Sequence, residues 1–129
     1  ALLAEAQLQV GNVIEAERWA GHAVEGCRRQ HERGWEANSL RVLAETAAHP
    51  NRLAPEKAAA GYRDALALAS ELGMRPLVAH CWLGLGNLYR LTGDRSQARE
   101  HLAAASEMYD EMDMPSWRGQ VAVALRDVT

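Results

Sequence analysis

The stretch that decides the fold is AHCWLGLGNLYRLTGD, residues 79–94. Trp82, Leu85 and Tyr89 follow one another at helical steps, which places their side chains on one face of an α-helix. Gly86 lies on the same face, and its missing side chain allows a second helix to approach closely. The stretch therefore predicts a helix that packs tightly against a neighbouring helix.

The residues that follow predict this neighbour. Gly93 is expected to end the first helix, and Asp94 to cap the next one, with Gln97 as its partner in a capping box. Apolar residues then recur at helical spacing, at Ala98, Leu102 and Ala105. The two segments together predict an antiparallel helical hairpin.

Residues 82–102 match most of the pattern W-x2-L-G-x2-Y followed by A-x3-F, which is the signature of the tetratricopeptide (TPR) repeat. Leu102 stands where an aromatic residue is common, and either kind of side chain fills an apolar slot. The hairpin therefore resembles a TPR repeat, and the resemblance extends over nearly the whole chain. It implies a right-handed superhelix of antiparallel hairpins, with about seven helices in this chain.

A glycine followed by a helix-capping residue also occurs earlier in the chain. Gly11 and Asn12 repeat the pattern of residues 93–94, and the helix after them is predicted to run through Arg33 and to end at a left-handed Gly34. In the middle of the chain, Pro55 is expected to open a helix that stops at Gly73. The predicted organisation is a single domain with a truncated repeat at 1–34, full repeats at 35–73 and 74–113, and a terminal capping helix at 115–128.

The middle and last segments carry apolar faces that match those of the first hairpin described. The predicted faces are Leu40, Leu43, Ala44 and Ala47; Ala58, Tyr62 and Ala65; and Trp117, Val121, Leu125 and Val128.

The repeat length indicates helices longer than those of a basic TPR unit. Leu43 follows Leu3 by 40 residues and precedes Leu85 by 42, whereas a basic unit has about 34 residues. Residues 65–80 and 97–102 resemble the long-helix TPR regions of large bacterial ATPase-plus-cyclase proteins, and more distantly those of LuxR- or MalT-like activators. The resemblance implies a segment of a larger bacterial signalling or regulatory protein, and Ala1 in mid-pattern suggests the same.

Composition favours an all-α fold. Among the 129 residues Ala and Leu dominate, Phe is absent, and β-branched residues are few, so helices are favoured at most positions. The net charge of −3 and the scattered arginines argue against a nucleic-acid partner. No apolar run approaches the ~20 residues that span a bilayer, and Cys27 and Cys81 do not suggest a disulfide framework. A cytoplasmic protein without a membrane partner is expected.

Two glycines of the sequence have both a possible chemical role and a simpler structural one. Gly84 and Gly86 begin like a dinucleotide-binding loop, but no strand precedes them and Tyr89 stands at the third glycine, so close helix packing is predicted instead. The sequence also contains no nucleophile elbow of the G-x-S-x-G type. A non-enzymatic protein is therefore expected.

Potential metal ligands do not reach a complete set. Two groups are close in sequence or on paired helices, but neither offers four zinc ligands at regular spacing: His22, Cys27 and His31, and His80, Cys81 and His101. The acidic residues at 107–113 lack the alternating oxygen donors and glycine turn of a calcium loop. No metal or other cofactor is expected.

The TPR resemblance implies a binding groove along the first helices of successive repeats. Arginines there could hold a carboxylate with both nitrogens, and an asparagine could hold a peptide backbone; the alternative is that these positions form the polar face that any exposed helix needs. The groove positions are Asn38, Arg41, Glu45 and His49 in the middle repeat and His80, Leu83, Asn87 and Arg90 in the next.

A non-catalytic scaffold that binds a protein or peptide is the predicted function. One alternative is self-association, with a homodimer formed through Leu2, Leu3, Ala6 and Val10 at the truncated end. Another is a helical domain that binds a small-molecule effector in its groove.

Overall fold

A computed structural model describes residues 13–49 and 53–128, and within these ranges the secondary structure is entirely helical. The six helices are α1 (Val13–Arg29), α2 (Arg33–Ala48), α3 (Pro55–Glu71), α4 (Arg75–Thr92), α5 (Arg95–Glu111) and α6 (Pro115–Val128). The predicted all-α fold is confirmed. The expected helix before Gly11 and the Asn12 cap lie outside the described residues.

The helices form two layers. Each helix packs on the next along the chain, and α2 also touches α4, which in turn touches α6. These three helices therefore share one layer, and the alternate helices α1, α3 and α5 form the other. This arrangement of stacked hairpins is that of a helical repeat.

The hairpin interfaces are built from small residues opposite larger ones. The predicted faces of α3 and α5 are confirmed, because Ala58, Ala65, Ala98, Leu102 and Ala105 are completely buried and Tyr62 is nearly so. A Cβ atom on Gly86 would lie 2.6 Å from Leu102 Cγ, so α4 and α5 approach as closely as the sequence pattern predicts.

The end of α4 and the start of α5 have the predicted caps, but the capping box is only half formed, because the Asp94 N–H donates to Tyr89 O and not to the Gln97 side chain. Gly93 has a φ of 86° and terminates α4 in the left-handed conformation. The Asp94 side chain accepts a hydrogen bond of 3.1 Å from the Gln97 backbone N–H at the start of α5. Pro55 is the first residue of α3, as predicted, and α3 ends just before Gly73, whose φ is 70°.

The predicted end of the first complete helix is wrong. α1 ends at Arg29, and Gly34 lies inside α2 rather than in the turn. The left-handed residue is His31, with a φ of 58°, and Asp113 has the same role before α6 with a φ of 53°. The two share this conformation with Gly73, at sequence intervals of 42 and 40 residues. Histidine and aspartate adopt the left-handed conformation more readily than most residues, so the position of a glycine did not predict the position of the turn.

An ion pair also recurs with the repeat. Arg33 donates to Glu71 Oε2 at 2.7 Å, and Arg75 donates to Glu111 Oε2 at 2.5 Å. In both hairpins the pair joins the first residue of one helix to the last residue of its partner. Such exposed pairs contribute little to stability, but their recurrence supports the internal repeat.

Among the described residues, none of the helices combines the length and apolar character needed to cross a lipid bilayer.

Candidate binding groove

The layer of α2, α4 and α6 lines a partly open cavity of about 300 Å³, here called the central cavity. Trp117 and Gln120 of α6 line its far side, and Tyr62 of α3 contributes to its lining. The structure brings five of the eight predicted groove residues into the wall of this cavity: Arg41, Glu45, His80, Leu83 and Asn87.

Arg41 is held in place by two neighbours on its own helix. Its Nη2 donates to Asn38 Oδ1 at 3.1 Å, and its Nη1 donates to Glu45 Oε1. The Arg41 side chain is only 15% exposed. A ligand carboxylate would therefore have to compete with Glu45 for this guanidinium.

His80 lies at the centre of an aromatic cluster. Its Nδ1 is hydrogen-bonded to Tyr109 OH at 2.5 Å, and its ring centroid lies 4.4 Å from that of Trp117. Burial, with a smaller contribution from the positive charge of Arg41, lowers the pKa of His80 to about 4. The imidazole is therefore uncharged at neutral pH.

Beneath the cavity, α4 lies directly on α3. A Cβ atom on Gly84 would lie 2.3 Å from Tyr62 Cε1, so only glycine allows the helix to rest on this ring. Burial raises the pKa of Tyr62 well above its usual range, and it raises the pKa of the neighbouring Cys81 thiol to about 12. Both groups stay protonated, and Cys81 lacks the thiolate that nucleophilic chemistry requires.

Asn87 presents an amide to the central cavity. Its Oδ1 atom is buried and accepts no hydrogen bond from any other described residue. A buried carbonyl oxygen without a donor is destabilising by about 1–3 kcal/mol. A rotation of the Asn87 side chain towards the cavity would let this oxygen accept a hydrogen bond from a ligand N–H, and the main chain of a peptide carries such donors.

A second cavity, of about 540 Å³, adjoins the first and is here called the apolar cavity. It lies between the starts of α2 and α4, and His80 borders both cavities. Asn38, another predicted groove residue, lines this cavity rather than the central one. The remaining lining residues are Gly34, Trp35, Met74, Pro76 and Leu77.

The apolar cavity was not predicted from the sequence. The residue that could have indicated it is Trp35, a large aromatic residue outside every predicted apolar face. This residue is 63% exposed. The start of α2 was predicted too late, after Gly34, whereas the helix begins at Arg33. Gly34 was therefore assigned to a turn and Trp35 to the start of a helix, whereas both lie on α2 and line the same cavity.

Two predicted groove residues line neither cavity. Arg90 Nη1 donates to Asp127 Oδ2 of α6 at 3.1 Å. His49 forms the C-terminal cap of α2 and is half-buried. Of the two groove arginines expected to hold a carboxylate, only Arg41 therefore lines a cavity.

Several of the potential metal ligands named from the sequence take part in aromatic contacts or ion pairs. His80 and His101 belong to different aromatic contacts, since His101 packs on Trp82 and Tyr89. Within residues 13–49 and 53–128, no cluster of three His, Cys, Asp or Glu side chains is arranged to hold a metal ion. In the acidic segment, Asp110 pairs with Arg118 at 2.6 Å and Glu111 with Arg75.

No known family model matches this chain, and a search of curated proteins finds no significant relative.

Proposed function

We propose that this chain is a non-catalytic, TPR-like scaffold that binds a protein or peptide segment in the central cavity. We place it in a larger cytoplasmic signalling or regulatory protein of a bacterium. The observation that carries the proposal is the convergence of Arg41, Glu45, His80 and Asn87 from two successive helices of one layer onto one cavity. Grooves of this kind present fixed side chains to an extended ligand.

The chemistry of the cavity favours binding over catalysis. His80 is uncharged and already bonded to Tyr109, and Cys81 and Tyr62 are protonated. The polar groups of the cavity can therefore bind a ligand by hydrogen bonds, through the Asn87 amide and the side chains that surround Arg41. An amide both donates and accepts, which suits the alternating N–H and C=O groups of a peptide main chain.

The test is a selection of peptides from a random library displayed on messenger RNA, with the full chain immobilised. The affinity of each selected peptide is then measured by calorimetry for the unchanged chain, for Asn87→Ala and for Arg99→Ala. We expect Asn87→Ala to weaken binding by about tenfold, since one lost hydrogen bond is equivalent to about 1 kcal/mol or slightly more.

Arg99→Ala serves as the matched control because Arg99 is exposed on α5, in the opposite layer. Its affinity should equal that of the unchanged chain. The proposal fails if no peptide is enriched, or if selected peptides bind Asn87→Ala as tightly as the unchanged chain.

Self-association is a second candidate function. The residues first expected to drive it, Leu2, Leu3, Ala6 and Val10, lie outside the described residues. On α1, however, Ile14 is 65% exposed and Trp19 is 45% exposed. Sedimentation equilibrium measures this directly, and a monomer at high concentration would argue against it.

A further inference from the structure

The apolar cavity has a uniform lining. Five of its seven lining residues, Gly34, Trp35, Met74, Pro76 and Leu77, are without polar side chains other than the indole N–H, and none of the seven carries a full charge at neutral pH. Trp35 leaves most of its surface to solvent. An exposed aromatic ring beside a concave apolar wall is a common feature of ligand subsites.

The two cavities together have no net charge. The charged residues in their lining are Arg41 and Glu45, which form an ion pair with each other. His80, at the junction, is kept uncharged by its burial and by Arg41. A charged occupant would lose hydration on entry and would find no uncompensated opposite charge in the lining. The electrostatics therefore favour an uncharged occupant.

We propose that the apolar cavity takes an aromatic or long aliphatic side chain from an uncharged peptide segment whose main chain lies in the central cavity. This inference rests on the proposed function and specifies the partner's chemistry. Trp35 offers a ring face for stacking, and the flexible thioether of Met74 can adapt to the inserted side chain. His80 borders both cavities and therefore stands where the side chain would leave the main chain.

Gly34 provides a way to block the cavity without disturbing the fold. A Cβ atom on Gly34 would lie 3.8 Å from Met74 Sδ, an ordinary contact, and it would meet nothing closer. Gly34 belongs to α2, where leucine is a better helix former than glycine. Gly34→Leu should therefore occupy part of the apolar cavity while the chain remains folded.

The experiment is an NMR titration of the ¹⁵N-labelled full chain with N-acetyl amides of tryptophan, leucine, glutamate and lysine. The tryptophan and leucine amides should shift the Leu77 backbone signal and the Trp35 indole signal. The glutamate and lysine amides should leave both signals in place at the same concentrations. Gly34→Leu should weaken the response to the tryptophan amide by at least about fivefold, equivalent to about 1 kcal/mol.

Gly26→Leu is the matched control, because Gly26 is a helical glycine on α1 with no atom within 4 Å of its Cβ position. It should leave the titration unchanged. The inference is overturned if the glutamate amide shifts the two signals as strongly as the tryptophan amide, if neither apolar amide shifts them, or if Gly34→Leu retains the full response.

The selected peptides separate this inference from the proposed function. Peptides that lose affinity for both Asn87→Ala and Gly34→Leu, and that carry an apolar side chain in common, support both. Peptides that lose affinity for Asn87→Ala but bind Gly34→Leu normally leave the proposed function standing and overturn the apolar subsite.

Discussion

At the scale of single residues, two helical glycines set how closely the helices approach. Gly84 lies against the Tyr62 ring and Gly86 against Leu102, and both positions lack space for even one methyl group. The sequence pattern predicted close packing rather than phosphate binding for these glycines, and their contacts confirm that prediction. The reason is that a glycine inside a strongly helical segment is unfavourable unless packing requires it.

Gly86→Ala should lower the free energy of unfolding. The added methyl group would meet Leu102 Cγ and Cδ2 and approach the Leu102 backbone N at 3.2 Å, and such overpacking is destabilising by about 1–3 kcal/mol. Chemical denaturation monitored by circular dichroism measures this change.

The matched control is Gly119→Ala in α6, where a Cβ atom would meet nothing within 4 Å. There the helix propensity of alanine should stabilise the chain by about 0.5–1 kcal/mol. Destabilisation of similar size in both variants would mean that the contact with Leu102 is not the cause.

At the scale of helices and turns, the repeat is marked by backbone conformation more clearly than by residue type. His31, Gly73 and Asp113 occupy equivalent turns with positive φ, although only one of them is glycine. A non-glycine residue in this region is destabilised by contact between its Cβ and the following carbonyl oxygen. The turns at His31 and Asp113 therefore store a small strain that the packing of the flanking helices maintains.

Replacing either strained residue by glycine should stabilise the chain. We expect His31→Gly and Asp113→Gly each to raise the free energy of unfolding by about 0.5–1 kcal/mol, the relief of strain being partly offset by the entropy of glycine. Thermal unfolding followed by calorimetry would record a higher midpoint.

Gln30→Gly provides the comparison, because Gln30 precedes His31 in the same turn without a positive φ. Glycine at this position brings only its entropic cost and should lower the midpoint. If Gln30→Gly and His31→Gly changed stability in the same direction, the positive φ of His31 would not be the origin of the strain.

At the scale of the whole molecule, His80 links the helices at the C-terminal end of the array. It lies on α4, is bonded to Tyr109 of α5 and contacts Trp117 of α6. Val121 and Val128 of α6 are buried in the same cluster, so α6 covers an apolar face of the preceding hairpin. Protonation of His80 would place a charge within this cluster.

Stability should therefore decrease in mildly acidic solution. Burial lowers the pKa of His80 in the fold from 6.5 to about 4, so the unfolded chain binds a proton first. The contribution of neutral His80 is fully present above pH 6.5 and is lost progressively as the pH falls towards 4. Urea denaturation across this range should give midpoints that decline with falling pH.

His80→Gln isolates this contribution because it removes this imidazole and leaves every other ionisable group of the chain in place. The midpoint of this variant should decline less steeply between pH 6.5 and 4 than that of the unchanged chain. Identical slopes would show that His80 does not contribute to the acid sensitivity.

The hairpins could be predicted from the sequence because their determinants are local. Apolar residues at helical steps, glycines at contact positions, and the Gly93–Asp94 turn all act within one or two helical turns, so spacing alone predicts the packing faces. The buried alanines of α3 and α5 and the start of α3 at Pro55 follow from these rules. The boundary at Gly34 was missed because histidine can adopt the left-handed conformation that glycine usually signals.

The candidate site needed the tertiary structure, because it depends on which side chains meet across helices that are distant in sequence. The TPR resemblance implied that Arg41 and Asn87 face one groove, but it could not show that Glu45 neutralises Arg41 or that Arg90 turns away to Asp127. It also could not show the apolar cavity, which exists only where the first turns of α2 and α4 lie side by side. Helices and their buried faces follow from periodicity along the chain, whereas cavities and charge compensation follow from distances between separate helices, and sequence spacing does not contain those distances.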